Sequence, residues 1–208
     1  MHLVLLEDRL ERDATLYAGA FNRVIYCVGG WVDVASAGVT TTIGENQAWQ
    51  GRGEATVRAT TDARLWRWEL RRSAATSNAG GTVKLSREVT LAPGDHLMRC
   101  DRVDFPPGGI AYTHTHQGPG TRVLLRGRFR VETAGETHHV APGEAWFESG
   151  PDPVYAEASP DEPASFVRVM VLPRVLLGKS SIRYVKPEDQ ARPKTQTYTV
   201  FVDAPIEV

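Results

Sequence analysis

Two imidazoles set two residues apart, in Thr113-His114-Thr115-His116, are the clearest provision for chemistry in this chain. On a β-strand, residues i and i+2 point to the same face, so both rings look the same way. Inside a β-barrel such a pair is half of a first-row metal site, or a hydrogen-bonded polar pair at the barrel mouth. Four other side chains extend the set. Gln117 offers an amide oxygen, a weak ligand, and Tyr155 a phenol that must lose its proton before it can bind metal. Glu148 is the carboxylate best suited to complete a metal site. Counting by two from position 120, Arg122 shares the inward side with Leu124. A guanidinium beside two imidazoles disfavours a cation and favours a carboxylate or phosphate, unless it pairs with a structural acid such as Glu148. The adjacent His138-His139 reads as solvated strand surface. Other chemistry falls away: there is no Gly-X-Ser-X-Gly elbow, no phosphate loop and no Cys-X-X-Cys, and no nucleotide cofactor is expected.

The elements that must carry these residues are strands. Arg23-Val-Ile-Tyr-Cys-Val28, Leu65-Trp-Arg-Trp-Glu-Leu70, Thr121-Arg-Val-Leu-Leu125 and Phe166-Val-Arg-Val-Met-Val-Leu172 are short and rich in β-branched, aromatic or large apolar residues. Gly, Pro, Asn and Asp clusters separate them, as in a sandwich or barrel. With 24 basic and 25 acidic residues among 208, the net charge of -1 gives a nucleic-acid partner no support. No stretch approaches a membrane span, and the apolar run at Leu3–Leu6 is too short for a signal peptide. Cys27 and Cys100 read as reduced core thiols, which suits a cytoplasmic location.

Sliding the chain against itself by 97 residues lays Gly30-Trp-Val-Asp-Val34 on Gly127-Arg-Phe-Arg-Val131. Without a gap, Ala37-Gly38 then falls on Ala134-Gly135, Ala48-Trp49 on Ala145-Trp146, and Gly53 on Gly150. Coincidence at turn glycines and at an Ala-Trp pair together indicates two copies of one β unit. The small polar run 73–81 has linker composition. The expected division is a first barrel over 1–72, a linker over 73–81, a second barrel over 82–173, and a tail over 174–208 ending in an edge strand.

Gly108, His114, His116 and Gly127, led by Pro106-Pro107-Gly108-Gly109, resemble the first motif of the cupin superfamily. A looser likeness to the second motif lies around Ser149–Val154. The resemblance implies an all-β bicupin: two tandem cupin jelly-roll barrels (double-stranded β-helices) with a C-terminal extension. It also implies a metal held by three histidines and a glutamate. Here the glutamate position is Gly120, with Thr121 in the neighbouring register. The third histidine position falls at Val154 or Tyr155. The first barrel carries Tyr17, Gly19, Arg23 and Val57 at the corresponding places and keeps no ligand set.

Three readings follow. In the first, the second barrel binds a small, anionic or sugar-like molecule through His114, His116 and Arg122, with Gln117 and Tyr155 nearby. In the second, His114, His116 and Glu148 hold a divalent Zn, Fe, Mn or Ni in an enzyme of dioxygenase or isomerase type. In the third, the protein is a structural or regulatory bicupin without ligand. Exposed sheet edges and abundant aromatics suggest a homodimer, with neither nucleic acid nor membrane as partner.

Overall fold

The computed structural model describes residues 1–73 and 80–208. Most of the expected linker, residues 74–79, lies outside the described residues. The chain forms two compact units, Met1–Val89 and Thr90–Ile206, the last two residues aside.

The first unit runs β1 (His2–Leu10), β2 (Thr15–Ala18), β3 (Asn22–Gly29), β4 (Trp31–Ser36), β5 (Val39–Gly44), β6 (Gln47–Gly51), β7 (Ala55–Ala59), β8 (Ala63–Arg71) and β9 (Thr82–Glu88). One sheet has the order β6-β3-β8-β1-β9 and the other β2-β7-β4-β5. Alternate residues, among them Ile25, Cys27, Val32, Val34, Val57 and Leu65, form its core. Continuing the alternation of Leu65, β8 then places Arg67, Glu69 and Arg71 in a buried ionic network. Arg67 Nε lies 2.8 Å from Asp8 Oδ2, and Arg23, Arg67 and Arg71 share Glu69. Charges this deeply buried persist only when paired. An ionic network therefore occupies the interior of the first barrel alongside its apolar core.

The second unit runs β10 (His96–Phe105), β11 (Ile110–His116), β12 (Gly120–Arg126), β13 (Phe129–Thr133), β14 (Glu136–Val140), β15 (Ala145–Glu148), β16 (Val154–Ala158), β17 (Ala164–Pro173), β18 (Ile182–Tyr184), α1 (Pro187–Gln190) and β19 (Thr197–Ile206). Its sheets are ordered β15-β12-β17-β10-β19 and β14-β13-β16-β11-β18. The five strands β15, β12, β17, β10 and β19 take the order of β6, β3, β8, β1 and β9, so the sequence repeat is a repeat of topology. The glycines that revealed it have equivalent tasks. Gly30 and Gly127 have φ of 84° and 79°, and a Cβ on either would overlap a carbonyl oxygen, that of Asp62 or of Pro163. The turns Ala37-Gly38 and Ala134-Gly135 have positive φ at both residues, the form that joins twisted strands most directly. Phe105, Leu124, Phe129, Trp146 and Phe166 fill the second barrel, with Phe105 and Phe129 ring centroids 4.9 Å apart.

Two expected boundaries shift. Residues 82–88 were assigned to the second barrel, yet β9 pairs with β1 and forms the edge of the first. The expected tail 174–208 belongs to the second unit: its terminal strand β19 closes the edge at β10, and β18, not foreseen, pairs with β11. Both strands satisfy backbone edges that would otherwise lie open. The cysteines are free and buried, and among the described residues no helix is long and apolar enough to cross a membrane.

Candidate functional site

β11 brings the two histidines inward by way of an irregularity. Its register against β16 shifts between Ala111 and His114, so Ala111, His114 and His116 all become buried although 111 and 114 differ in parity. Bulges of this kind re-aim side chains beside functional sites. On the opposite sheet, β12 points Arg122 inward and β15 points Trp146 and Glu148 inward. Arg122 is completely buried, and His114, His116 and Glu148 are nearly so.

The four side chains form one connected cluster. His114 Nδ1 lies 2.7 Å from the Tyr112 carbonyl, which can only accept, so Nδ1 carries the proton and Nε2 presents a lone pair. His116 Nε2 stands 3.2 Å from that lone pair and 3.3 Å from Glu148 Oε2. Facing two acceptors, it is the protonated nitrogen, and His116 Nδ1 accepts from Ser181 Oγ at 3.2 Å. Glu148 Oε1 accepts from Trp146 Nε1 at 2.9 Å, and Arg122 Nη2 lies 2.6 Å from Glu148 Oε2. Arg122 Nη1 donates to the Gly120 carbonyl at 2.6 Å, while among the described residues Arg122 Nε has no hydrogen-bond partner. A cavity of about 20 Å³ adjoins the cluster, lined also by Phe129, Phe166, Ile182 and Tyr198. That is room for a water or a small polar atom group.

Burial sets the protonation states. Desolvation pushes His116 down to about 3, against the opposing pull of Glu148, and it lowers His114 as well. Both rings are neutral near pH 7. Desolvation alone would raise Glu148, but Arg122 and His116 hold it well below the usual carboxylate range. Burial brings Arg122 down to about 10, with Glu148 opposing the fall. The cluster is thus one cation and one anion beside two neutral imidazoles.

A metal dication fits this set in spacing but not in charge. Nitrogen and oxygen donors 3.2 and 3.3 Å apart suit bonds of about 2.1 Å. However, the Glu148 carboxylate is already neutralised by Arg122. A unit charge about 4 Å from a dication opposes it by about 8 kcal/mol at an effective dielectric of 20, which offsets the attraction of the carboxylate. Two imidazoles would then have to dehydrate the ion alone, and His116 would have to give up its Nε2 proton. The donor set as built does not fit a resident dication.

Of the six residues singled out in the sequence, four meet here: His114, His116, Arg122 and Glu148. Two do not. Tyr155 points out of the barrel because Val154, Ala156 and Ala158 take the inward positions of β16; its hydroxyl bonds Glu157 at 2.7 Å, and Arg130 lies over its ring. Gln117 follows the end of β11 and accepts from Arg183 in a groove outside the barrel. Two residues were missed. Arg168 and Asp101, directly opposite on β17 and β10, form a buried ion pair at 2.6 Å, and Arg168 borders the cavity. Each is a charged residue at an inward position of an otherwise apolar strand, which was the available signal.

The cupin domain family matches residues 101–171. No curated protein matches the sequence. Solved structures resemble the chain over most of its length. A deletion mutant of Bacillus subtilis oxalate decarboxylase gives a TM-score of 0.68 at 14% identity, covering 92% of this chain and 73% of that one. AerE from Microcystis aeruginosa gives 0.64 at 10% identity, covering 82% and 88%. A mutant of salicylate 1,2-dioxygenase from Pseudoaminobacter salicylatoxidans gives 0.59 at 13%, covering 87% and 73%. The oxalate decarboxylase has Mn(II) centres. At these identities the likeness concerns fold: two tandem cupin jelly-roll barrels.

Proposed function

We propose that the second barrel binds a small anionic molecule without a resident metal, using the Arg122 guanidinium and the two imidazoles as its polar contacts. The observation that carries this reading is the Arg122 side chain at the cavity wall, whose Nε–H is left over after Nη1 and Nη2 are engaged by the Gly120 carbonyl and Glu148. The unpartnered Arg122 Nε–H beside the 20 Å³ cavity supplies a donor for one polar head group. Ile182 and Tyr198 border that cavity, so a bound molecule larger than its head group displaces them. The test is calorimetric titration of metal-depleted protein with acetate, oxalate and the uncharged acetamide. Binding of the acids that is lost in Arg122→Met is expected; acids and amide binding alike, or not at all, sinks the reading.

A second reading, the metal-dependent enzyme of dioxygenase or isomerase type, is favoured by the 3.2 and 3.3 Å donor spacings. His114, His116 and Glu148 would be its ligands, and it requires Arg122 to release Glu148. Elemental analysis of untagged protein separates the two: stoichiometric Fe, Mn, Ni or Zn in the wild type, lost in a His114/His116 double alanine variant, selects the enzyme. The homodimer is likewise our proposal, and light scattering on the eluting peak from a sizing column measures it.

A further inference from the structure

Outside the barrel, the second unit carries an open groove of about 460 Å³, the size range of small-molecule sites. His116 borders it on one side and the buried cluster on the other. Arg183, Gln117 and His96 provide its polar groups, and Leu91 and Val171 part of its apolar wall. Among the described residues lining it there is no Asp or Glu, so its one full charge is the exposed Arg183. Gln117 Oε1 accepts from Arg183 Nη2 and holds the guanidinium against the rim.

His96 is the residue that points to a ligand. It is only 6% exposed, and among the described residues its Nε2 has no hydrogen-bond partner. A buried polar atom left unpaired costs about 1–3 kcal/mol in general, so such atoms are normally satisfied by something bound. Phosphate dianions call for several cations, whereas a single guanidinium with imidazole donors beside apolar wall suits a monoanion.

We propose that this groove is a binding site for a small organic monocarboxylate, with its acid group met by Arg183 and, once the ring turns its solvent-closed Nε2 toward the groove, by His96, and its apolar body against Leu91 and Val171. The groove shares the His116 wall with the Arg122 cluster but takes its proposed polar contacts from Arg183 and His96, so it does not depend on how that cluster is read.

Benzoate and its uncharged analogue benzamide are the probes, followed by ¹⁵N NMR of the histidine ring and arginine Nε–H signals in the full chain. Benzoate, and not benzamide, should shift the His96 ring signals. Arg183→Ala, an exposed change that leaves the barrel interior untouched, should weaken benzoate binding about tenfold, the value of one charge-assisted contact. His96→Leu, checked for folding by its NMR spectrum, should weaken it similarly. If benzoate shifts Arg122 Nε–H and leaves His96 unmoved, the groove proposal fails while the buried site stands. If His96 moves equally with benzamide, or Arg183→Ala changes nothing, the assignment of an acid is overturned.

Discussion

Replacing Arg122 by methionine keeps the volume of the buried side chain but removes its charge, and two consequences follow with opposite signs. Glu148 is left ionised and buried, having lost the partner 2.6 Å away that holds its carboxyl low. Breaking a buried pair by removing one member costs about 3–5 kcal/mol. At about 4 °C per kcal/mol for a unit of this size, the second barrel should melt on the order of 15 °C lower. The same change frees Glu148 Oε2, 3.3 Å from His116 Nε2, from its competing cation. Arg122→Met should therefore bind Zn²⁺ or Mn²⁺ more tightly than the wild type does. A metal at a hundredfold excess over its dissociation constant returns about 2.7 kcal/mol. The measurement is calorimetric melting of both proteins with chelator and with added metal, beside elemental analysis of the untagged chains. The wild-type melting temperature should ignore chelator, and that of the variant should rise with metal. Removing Glu148 as well, in Arg122→Met/Glu148→Leu, should recover stability and abolish the metal response. A wild type that carries one metal per chain and melts earlier with chelator refutes the charge argument outright. So does a variant that loses no stability and takes up no metal.

Three further outcomes test the same physical picture. The unfolding free energy should fall as pH drops from about 6.5 toward 3: the unfolded chain takes up a proton that the folded barrel, with His116 at about 3, excludes. The slope is about 1.4 kcal/mol per pH unit for His116 and steeper with His114; urea midpoints that stay flat from pH 7 to 4.5 contradict it. In the first barrel, Glu69→Gln removes the carboxylate shared by Arg23, Arg67 and Arg71 and should cost about 3–5 kcal/mol in denaturant unfolding, leaving ligand titrations of the second barrel as they were. Gly127→Ala, at φ 79° with a Cβ directed at the Pro163 carbonyl, should destabilise by about 2 kcal/mol or more, and a neutral result would mean that the turn relaxes freely.

The architecture was legible wherever backbone conformation constrains residue type. Gly30 and Gly127, and the two Ala-Gly turns, recur because each copy bends its chain at the same points, and side-chain choice there is narrow. Strand membership at the edges was less legible. The composition of 73–81 marks a change of element but says nothing about which sheet accepts the next strand. β9 therefore read as the start of the second barrel when it is the last strand of the first. The same holds for Thr197–Ile206: its alternation announced an edge strand, while its partner β10 is a matter of tertiary pairing that no local pattern encodes.

The site was legible through the two-residue period, and it fails where that period is interrupted or crosses strands. Arg122 and Glu148 face inward by parity; Tyr155 is excluded by the same parity once Val154 is the inward residue. What sequence spacing could not convey is the exchange across the β12–β15 ladder. Gly120, where the family resemblance places a glutamate, lies directly opposite Glu148. A Cβ at Gly120 would press on the Met170 side chain and stand 3.0 Å from Arg122 Nη1. With the Val169 carbonyl only 2.8 Å from that Cβ as well, a larger residue at 120 is crowded by β17 and by the arginine at once. Once the arginine is accepted, its buried charge requires a carboxylate within contact distance, and the cross-strand position 148 is the one that supplies it. The glycine at 120, the inward arginine at 122 and the carboxylate at 148 are thus one unit in physical terms: a buried cation and the cross-strand acid that balances it.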